Sequence, residues 1–319
     1  MARPDLSSNS SFSTLLWGLQ TAVDSTSLGE FKICPRRYYY SIICGYQPRQ
    51  TSVHLTFGLL MHSSRERYYH ARFDGASHED AVASTVLWAL KATWIKELGR
   101  GWSSGSPTKN RLTLVRSLVY YLDKYGEGDP LETLQLDNGK PAVELSFRFD
   151  IGHKAGSTGE SILLCGHLDR MVRLNDEIYI SDLKTTEHGL DAGYFSKFSP
   201  DNQFSLYVLA GQIAFSQPAK GLIVDALQVI GSDTRFQRGL VQRDAQQIEE
   251  FVDDTRQWLG QMESCAVQGK WPQNDKSCGL YGGCAFRSIC SKSPASRQMW
   301  LDSEFKQRVW NPLDRRGDI

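Results

Sequence analysis

Net charge is the first thing this sequence lacks. Lysine plus arginine and aspartate plus glutamate both number 36 in 319 residues, so global charge points to no nucleic acid, membrane surface or acidic partner. Also missing is an apolar run long enough to cross a bilayer. The stretch STLLWGLQTA near the start has neither the charged lead nor the cleavage pattern of a signal peptide, so the chain is expected in the cytoplasm. It has no G-x-x-x-x-G-K-[ST] phosphate loop and no internal repeat. Cysteine is sparse, at seven residues. In a reducing compartment these argue for a metal or cluster role for some of them rather than a disulfide framework.

What is present is an ordinary globular composition, 40% apolar, enough for one large domain or two small ones. The polar opening MARPDLSSNSSF reads as part of a disordered tail over residues 1–20. Helical periodicity follows in VHLTFGLLMHSSRERYYHARF, HEDAVASTVLWALKATWIKEL and RLTLVRSLVYYLDKYG, which gives a helical subregion over about 52–128. From Pro141 the pattern changes to β-branched alternation in PAVELSFRFDIG, SILLCGHLDRMVRL and EIYISDLKTT, three antiparallel strands opening an α/β core over about 140–265. The reading is one domain over 21–300, with a cysteine-bearing loop at 278–290 and a loose tail over 301–319.

Within EIYISDLKTT, Asp182 and Lys184 stand two apart, so a strand aims both at one spot. That spot is either an ion pair or a reaction site; a lone D-x-K is commonly a surface ion pair. Asp169 lies 13 positions earlier, the right spacing to meet Asp182 across a hairpin. Two facing carboxylates repel unless a cation lies between them, which calls for a divalent metal with oxygen ligands, magnesium or manganese. A lysine beside it can position a water and neutralise charge developing on a phosphate.

Four patterns in order give these residues company: GLLMH (Gly58 to His62), GHLDR (Gly166 to Arg170), DLKT (Asp182 to Thr185) and QFSLY (Gln203 to Tyr207). The set resembles the PD-(D/E)XK nuclease superfamily, in its RecB-like branch. The resemblance implies a restriction-endonuclease-like α/β core, a mixed central sheet flanked by helices. By it, Asp169, Asp182 and the backbone carbonyl of Leu183 would ligate the metal, His62 would be a further ligand, and Lys184 would serve the attacking water. Gln203 and Tyr207, sharing a helix face, would border the site or contact DNA; packing on the sheet is the plain alternative. Glu144 takes the place of the acid on the first core strand, ahead of Asp150 on the same face.

Cys278, Cys284 and Cys290 are spaced evenly, and Cys34 in FKICPRRYYY is the candidate fourth ligand. On spacing alone zinc is the ordinary occupant. The chain also resembles the four-cysteine iron-sulfur exonucleases, of AddB type and of a CRISPR-associated family, with one cysteine before the core and three after it. That implies a structural 4Fe-4S cluster stapling the chain ends. The wider spacing of the last three cysteines departs from that pattern and keeps zinc open.

Between Phe31 and Arg72, seven basic residues (Lys32, Arg36, Arg37, Arg49, Arg65, Arg67 and Arg72) stand against the single acid Glu66. Mixed with tyrosines, such residues suit single strands, and Arg36 and Arg37 are the candidate DNA contacts; equally, the rings can wrap a core. The expected function is a magnesium- or manganese-dependent deoxyribonuclease, an exonuclease acting on DNA ends or single strands, working with any helicase or recombination protein as a separate chain. The rivals are a non-catalytic DNA-end-binding or recombination-assembly subunit of the same fold, and a zinc-stapled scaffold.

Overall fold

A computed structural model describes residues 4–50, 52–214 and 218–314. The chain opens with β1 (Ala22–Val23), α1 (Ser25–Ile33), α2 (Pro35–Tyr38) and β2 (Tyr46–Pro48). Asp24 caps α1 by accepting the Ser27 amide, and Pro35, which has no amide to donate, starts α2. Three helices and a small hairpin follow: α3 (Val53–Phe73), α4 (His78–Ala92), β3 (Trp94–Ile95) with β4 (Arg100–Gly101), and α5 (Arg111–Tyr125). Ser77 caps α4, and Asn110 caps α5 in a reciprocal box with Thr113.

The strands come next: β5 (Glu132–Thr133), β6 (Val143–Lys154), β7 (Ser161–Leu174) and β8 (Glu177–Thr186). After α6 (Ala192–Ser196) and α7 (Asn202–Ala214) come β9 (Leu222–Val229) and β10 (Thr234–Val241). The chain closes with α8 (Ala245–Gln268), α9 (Arg287–Cys290), α10 (Arg297–Glu304) and β11 (Phe305–Gln307). The expected fold class is borne out: β7–β8 and β9–β10 pair antiparallel, while β8–β9 pair parallel across the α6–α7 crossover, giving a mixed sheet with helices around it. No helix among the described residues is long and apolar enough to cross a membrane.

Contacts divide the described residues into two compact units where the sequence suggested one domain over 21–300. One draws on residues 4–50, 146–166 and 244–314, the other on 52–145 and 167–243. The long strands β6 and β7 contribute to both.

In the second unit, α3 and α5 pack on one face of β8 and β9 through Phe57, Met61, Tyr68, Leu118, Leu183 and Leu227, all buried, and α4 joins the same core through Ala81 and Ala89. In the first unit, Tyr40, Tyr46, Phe286, Ile289, Leu301 and Phe305 form a core that β2 and β11 close by antiparallel pairing. Both expected tails need correction. Leu6, Phe12 and Leu19 are buried, and Asn9 donates to the Trp310 carbonyl at 2.8 Å, so apolar anchors unmarked by any periodicity pack the start of the chain. Residues 301–307 complete α10 and form β11. Residues 1–3 and 315–319 lie outside the described residues.

Candidate active site

The second unit gathers most of the charged residues singled out in the sequence. The β7–β8 ladder runs to Arg170↔Ser181, and its next step sets Asp169 opposite Asp182. There the Leu183 amide donates to Asp169 Oδ2 at 2.9 Å, a side chain taking the place of a rung. Both aspartates are 1% exposed.

His62 comes from α3, one residue past the buried Met61, and sets Nδ1 3.1 Å from Asp169 Oδ2 and 3.8 Å from Glu144 Oε1. Glu144, at the start of β6, has φ +50°. That left-handed conformation is costly for a residue with a β-carbon and is concentrated at functional sites. Asp150 falls in the other unit, exposed, with its carboxylate accepting the Gly152 amide.

Lys184 Nζ lies 2.8 Å from Asp182 Oδ2 and donates to Gln203 Oε1 at 3.2 Å; Gln203 in turn donates to the Tyr207 hydroxyl at 3.0 Å. One turn of α7 separates Gln203 from Tyr207, so the helix carries a relay of polar groups up to the lysine.

The electrostatics fit a cation. Burial by itself would push His62 down, but the Asp169 and Glu144 carboxylates outweigh it and raise it to about 9. Burial holds Asp182 above its ordinary range, with Lys184 pulling the other way and Asp169 adding to the rise. His62 Nδ1 is buried without a well-formed hydrogen bond, although it touches a carboxylate. Such an atom is costly unless something binds it. One ligand atom each from His62, Glu144 and Asp169 lie within 4.8 Å of one another, the one group of three such residues among those described. An imidazole nitrogen with two carboxylate oxygens suits a divalent metal ion. Asp182 stands outside that trio, engaged by Lys184.

Sequence reasoning missed what lies beneath. Arg65 (2% exposed), Arg170 (0%) and Asp225 (0%) are buried, and with Asp129, Arg238, Tyr69 and Tyr121 they form a continuous charged network. The available signal was Asp225 itself, a lone acid in the apolar run GLIVDALQVIG.

Residues 25–291 match the model of one family, the PD-(D/E)XK nuclease superfamily. The chain belongs to that superfamily. Among solved structures, this superfamily member is similar to a "Putative exonuclease" from Eubacterium rectale, at 10% identity and a TM-score of 0.49, over 86% of this chain and 94% of that one. It is also similar to the protein SSO0001, at 13% identity and a TM-score of 0.34, over 85% of this chain and 87% of that one. None of the curated proteins matches it in sequence.

The cysteines of this superfamily member lie in the first unit. Cys34 is buried and its Sγ accepts the Asn274 amide at 3.2 Å. Burial raises the Cys284 and Cys290 thiols, and the Cys34 thiol is near enough to add to the rise in both. Cys278 is tied to the loop through its carbonyl, which accepts the Cys284 amide. None of the four is joined in a disulfide. Arg37 clamps Glu30 through two nitrogens, at 2.5 and 2.6 Å, and Arg36 Nε donates to the Trp271 carbonyl at 2.6 Å. Both candidate DNA contacts thus have partners inside the protein.

Proposed function

We propose that this protein is a metal-dependent DNA nuclease, an exonuclease acting on DNA ends or single strands. The observation that carries the reading is the convergence of His62, Glu144 and Asp169 beside an Asp182–Lys184 pair, in a chain belonging to a nuclease superfamily. A divalent cation held there supplies an acidified water and a counter-charge for the phosphoryl oxygens. The protein's own residues do the rest. Asp169 and Asp182 present negative charge from adjacent strands, and the buried surroundings strengthen it. Lys184, steadied by Gln203, stands where it can orient the attacking water and offset charge growing on phosphorus. The exonuclease reading and a separate helicase or recombination partner rest on the resemblance to the RecB-like branch.

A second reading concerns the first unit: Cys34, Cys278, Cys284 and Cys290 hold a structural 4Fe-4S cluster, with zinc as the rival occupant. Four cysteine sulfurs can serve either occupant; the cluster is favoured by the resemblance to the iron-sulfur exonucleases, with one cysteine before the core and three after it. Purification without oxygen tests it. Brown protein with iron and sulfide supports the cluster, whereas colourless protein with one zinc removes it.

The nuclease reading is tested with end-labelled single- and double-stranded DNA, with and without magnesium or manganese, beside Lys184→Ala and Asp169→Ala. Metal-dependent release of nucleotides from ends by the wild type, and loss in both variants, is expected. Undiminished cleavage by both variants overturns the mechanism, and cutting of covalently closed circles overturns the exonuclease assignment. DNA binding without cleavage by the wild type points to the non-catalytic subunit.

A further inference from the structure

Under the proposed metal centre runs a line of alternating charge that the hydrolysis itself does not use. Arg65 stands three residues after His62 on α3, so one helix face presents both to Asp169. Asp169 Oδ2 is addressed three times: by the Leu183 amide at 2.9 Å, His62 Nδ1 at 3.1 Å and Arg65 Nη2 at 3.6 Å. The other arm of Arg65, Nη1, lies 3.4 Å from Asp225 Oδ2. Asp225 is itself fixed, by the Tyr121 hydroxyl on that oxygen and by Arg238 Nε at 3.3 Å on the other. Arg238 then grips both oxygens of Asp129, at 2.6 and 2.9 Å.

The register closes this into a loop. Asp225 on β9 is the direct partner of Leu183 on β8, and Leu183 is the residue whose amide holds Asp169. From Asp169 the path runs through Leu183, Asp225 and Arg65 back to Asp169. Two candidate ligands arrive on separate elements, His62 on α3 and Asp169 on β7, and this loop adds a polar tie to the apolar packing of Met61 and Leu183 that joins helix to sheet at their level. Burying a guanidinium and a carboxylate carries a large desolvation cost, and apolar residues of like volume commonly stabilise a core as well or better. Here the neighbours of Asp225 on β9, from Leu222 to Val229, are otherwise uncharged and buried.

We propose that Arg65, held from behind by Asp225, is a positioning residue that fixes Asp169 and His62 in the arrangement that binds the divalent cation. The inference rests on the nuclease reading. It assigns Arg65 no contact with DNA or with the metal. It gives α3 two tasks, supplying a ligand and orienting another.

The test compares wild type, Arg65→Lys, Asp225→Asn and the double variant Arg65→Met with Asp225→Asn, in which the buried pair is made neutral. Three readouts are taken: manganese binding to DNA-free protein by electron paramagnetic resonance, the thermal midpoint, and the split of cleavage into kcat and KM. The double variant is expected to fold and to bind manganese about 10- to 100-fold more weakly. Its kcat should fall comparably with KM for DNA unchanged, and Arg65→Lys should recover part of the loss. Should the double variant not fold, Asp225→Asn carries the same expectations in milder form. A folded variant that binds manganese and cleaves within twofold of wild type overturns the proposal and leaves a structural pair. Wild type that binds no manganese overturns the underlying metal reading as well, so the two failures are distinguishable.

Discussion

Leu183 donates its backbone amide to Asp169 Oδ2 at 2.9 Å, one step past the last rung of the β7–β8 ladder. A carboxylate that replaces a rung serves both the sheet and the site, and substitutions can separate the two. Asp169→Asn keeps a carbonyl oxygen for the Leu183 amide and removes the charge facing His62. The thermal midpoint should shift little while metal-dependent cleavage falls on the order of 100-fold or more. Asp169→Leu removes the acceptor too and leaves Arg65 facing an apolar side chain, which should destabilise the fold by about 3–5 kcal/mol. Urea unfolding beside a cleavage assay checks both; equal stability of the two variants refutes the dual role.

Glu144 carries its carboxylate into the site from a left-handed backbone, φ +50°. Alanine at that position keeps the strain and discards the function, whereas glycine relieves the strain and discards the same carboxylate. Glu144→Gly should therefore be more stable than Glu144→Ala by about 1 kcal/mol, with manganese affinity lowered alike in both. Should the alanine variant prove the more stable one, the conformation is not held against resistance.

The residues that proved legible are those whose chemistry and spacing are local. Asp182 and Lys184 lie two apart in an alternating strand, and Gln203 and Tyr207 lie four apart in a helix, so periodicity alone puts each pair on one face. Asp169 followed from hairpin arithmetic. His62 came only from its place in an ordered set of motifs, because nothing in a helix predicts which distant strand it will meet. Of the Arg65–Asp225–Arg238–Asp129 line only Asp225, a lone acid in an apolar run, left a mark in the sequence; the members come from α3, β9, β10 and a loop, and the other three, taken singly, read as surface charges. Leu6, Phe12 and Leu19 illustrate the converse. Apolar anchors in a serine-rich stretch have no period, so composition hides packing that they provide.

Gln203 touches the lysine and not the candidate metal ligands, so its removal should affect one step and spare the other. In Gln203→Leu, Lys184 loses its 3.2 Å anchor and keeps Asp182 and the face of the Phe204 ring, 5.3 Å away. Cleavage should drop about tenfold, as when a supporting partner of a site residue is lost, with manganese affinity unchanged. Tyr207→Phe, one bond further back, should cost less. A fall in manganese affinity for Gln203→Leu would assign the glutamine to the metal instead.

Lys109 offers a test that does not depend on the nuclease reading. Its side chain is almost wholly buried, its Nζ has no hydrogen-bond partner, and the amine lies 4.6 Å from the centre of the Phe57 ring. Burial pushes it down from an ordinary 10.5 to about 8, the Glu187 carboxylate countering only in part. Below pH 8 the amine is charged in both folded and unfolded chains, and the fold bears the full cost of burying it. Between pH 8 and 10.5 the unfolded chain keeps a proton that the native state has released, so stability contributed by this group rises with pH. Lys109→Met removes the charge and keeps the stem. It should stabilise the fold at pH 7 by about 1–3 kcal/mol, the cost of an unsatisfied buried polar group. That advantage should shrink as the pH is raised from 8 towards 10.5, because the wild-type amine then becomes neutral unaided. Urea midpoints of the two proteins at pH 7 and pH 9.5 decide it: a constant difference shows that the amine stays charged over Phe57, and no difference shows that it reaches solvent.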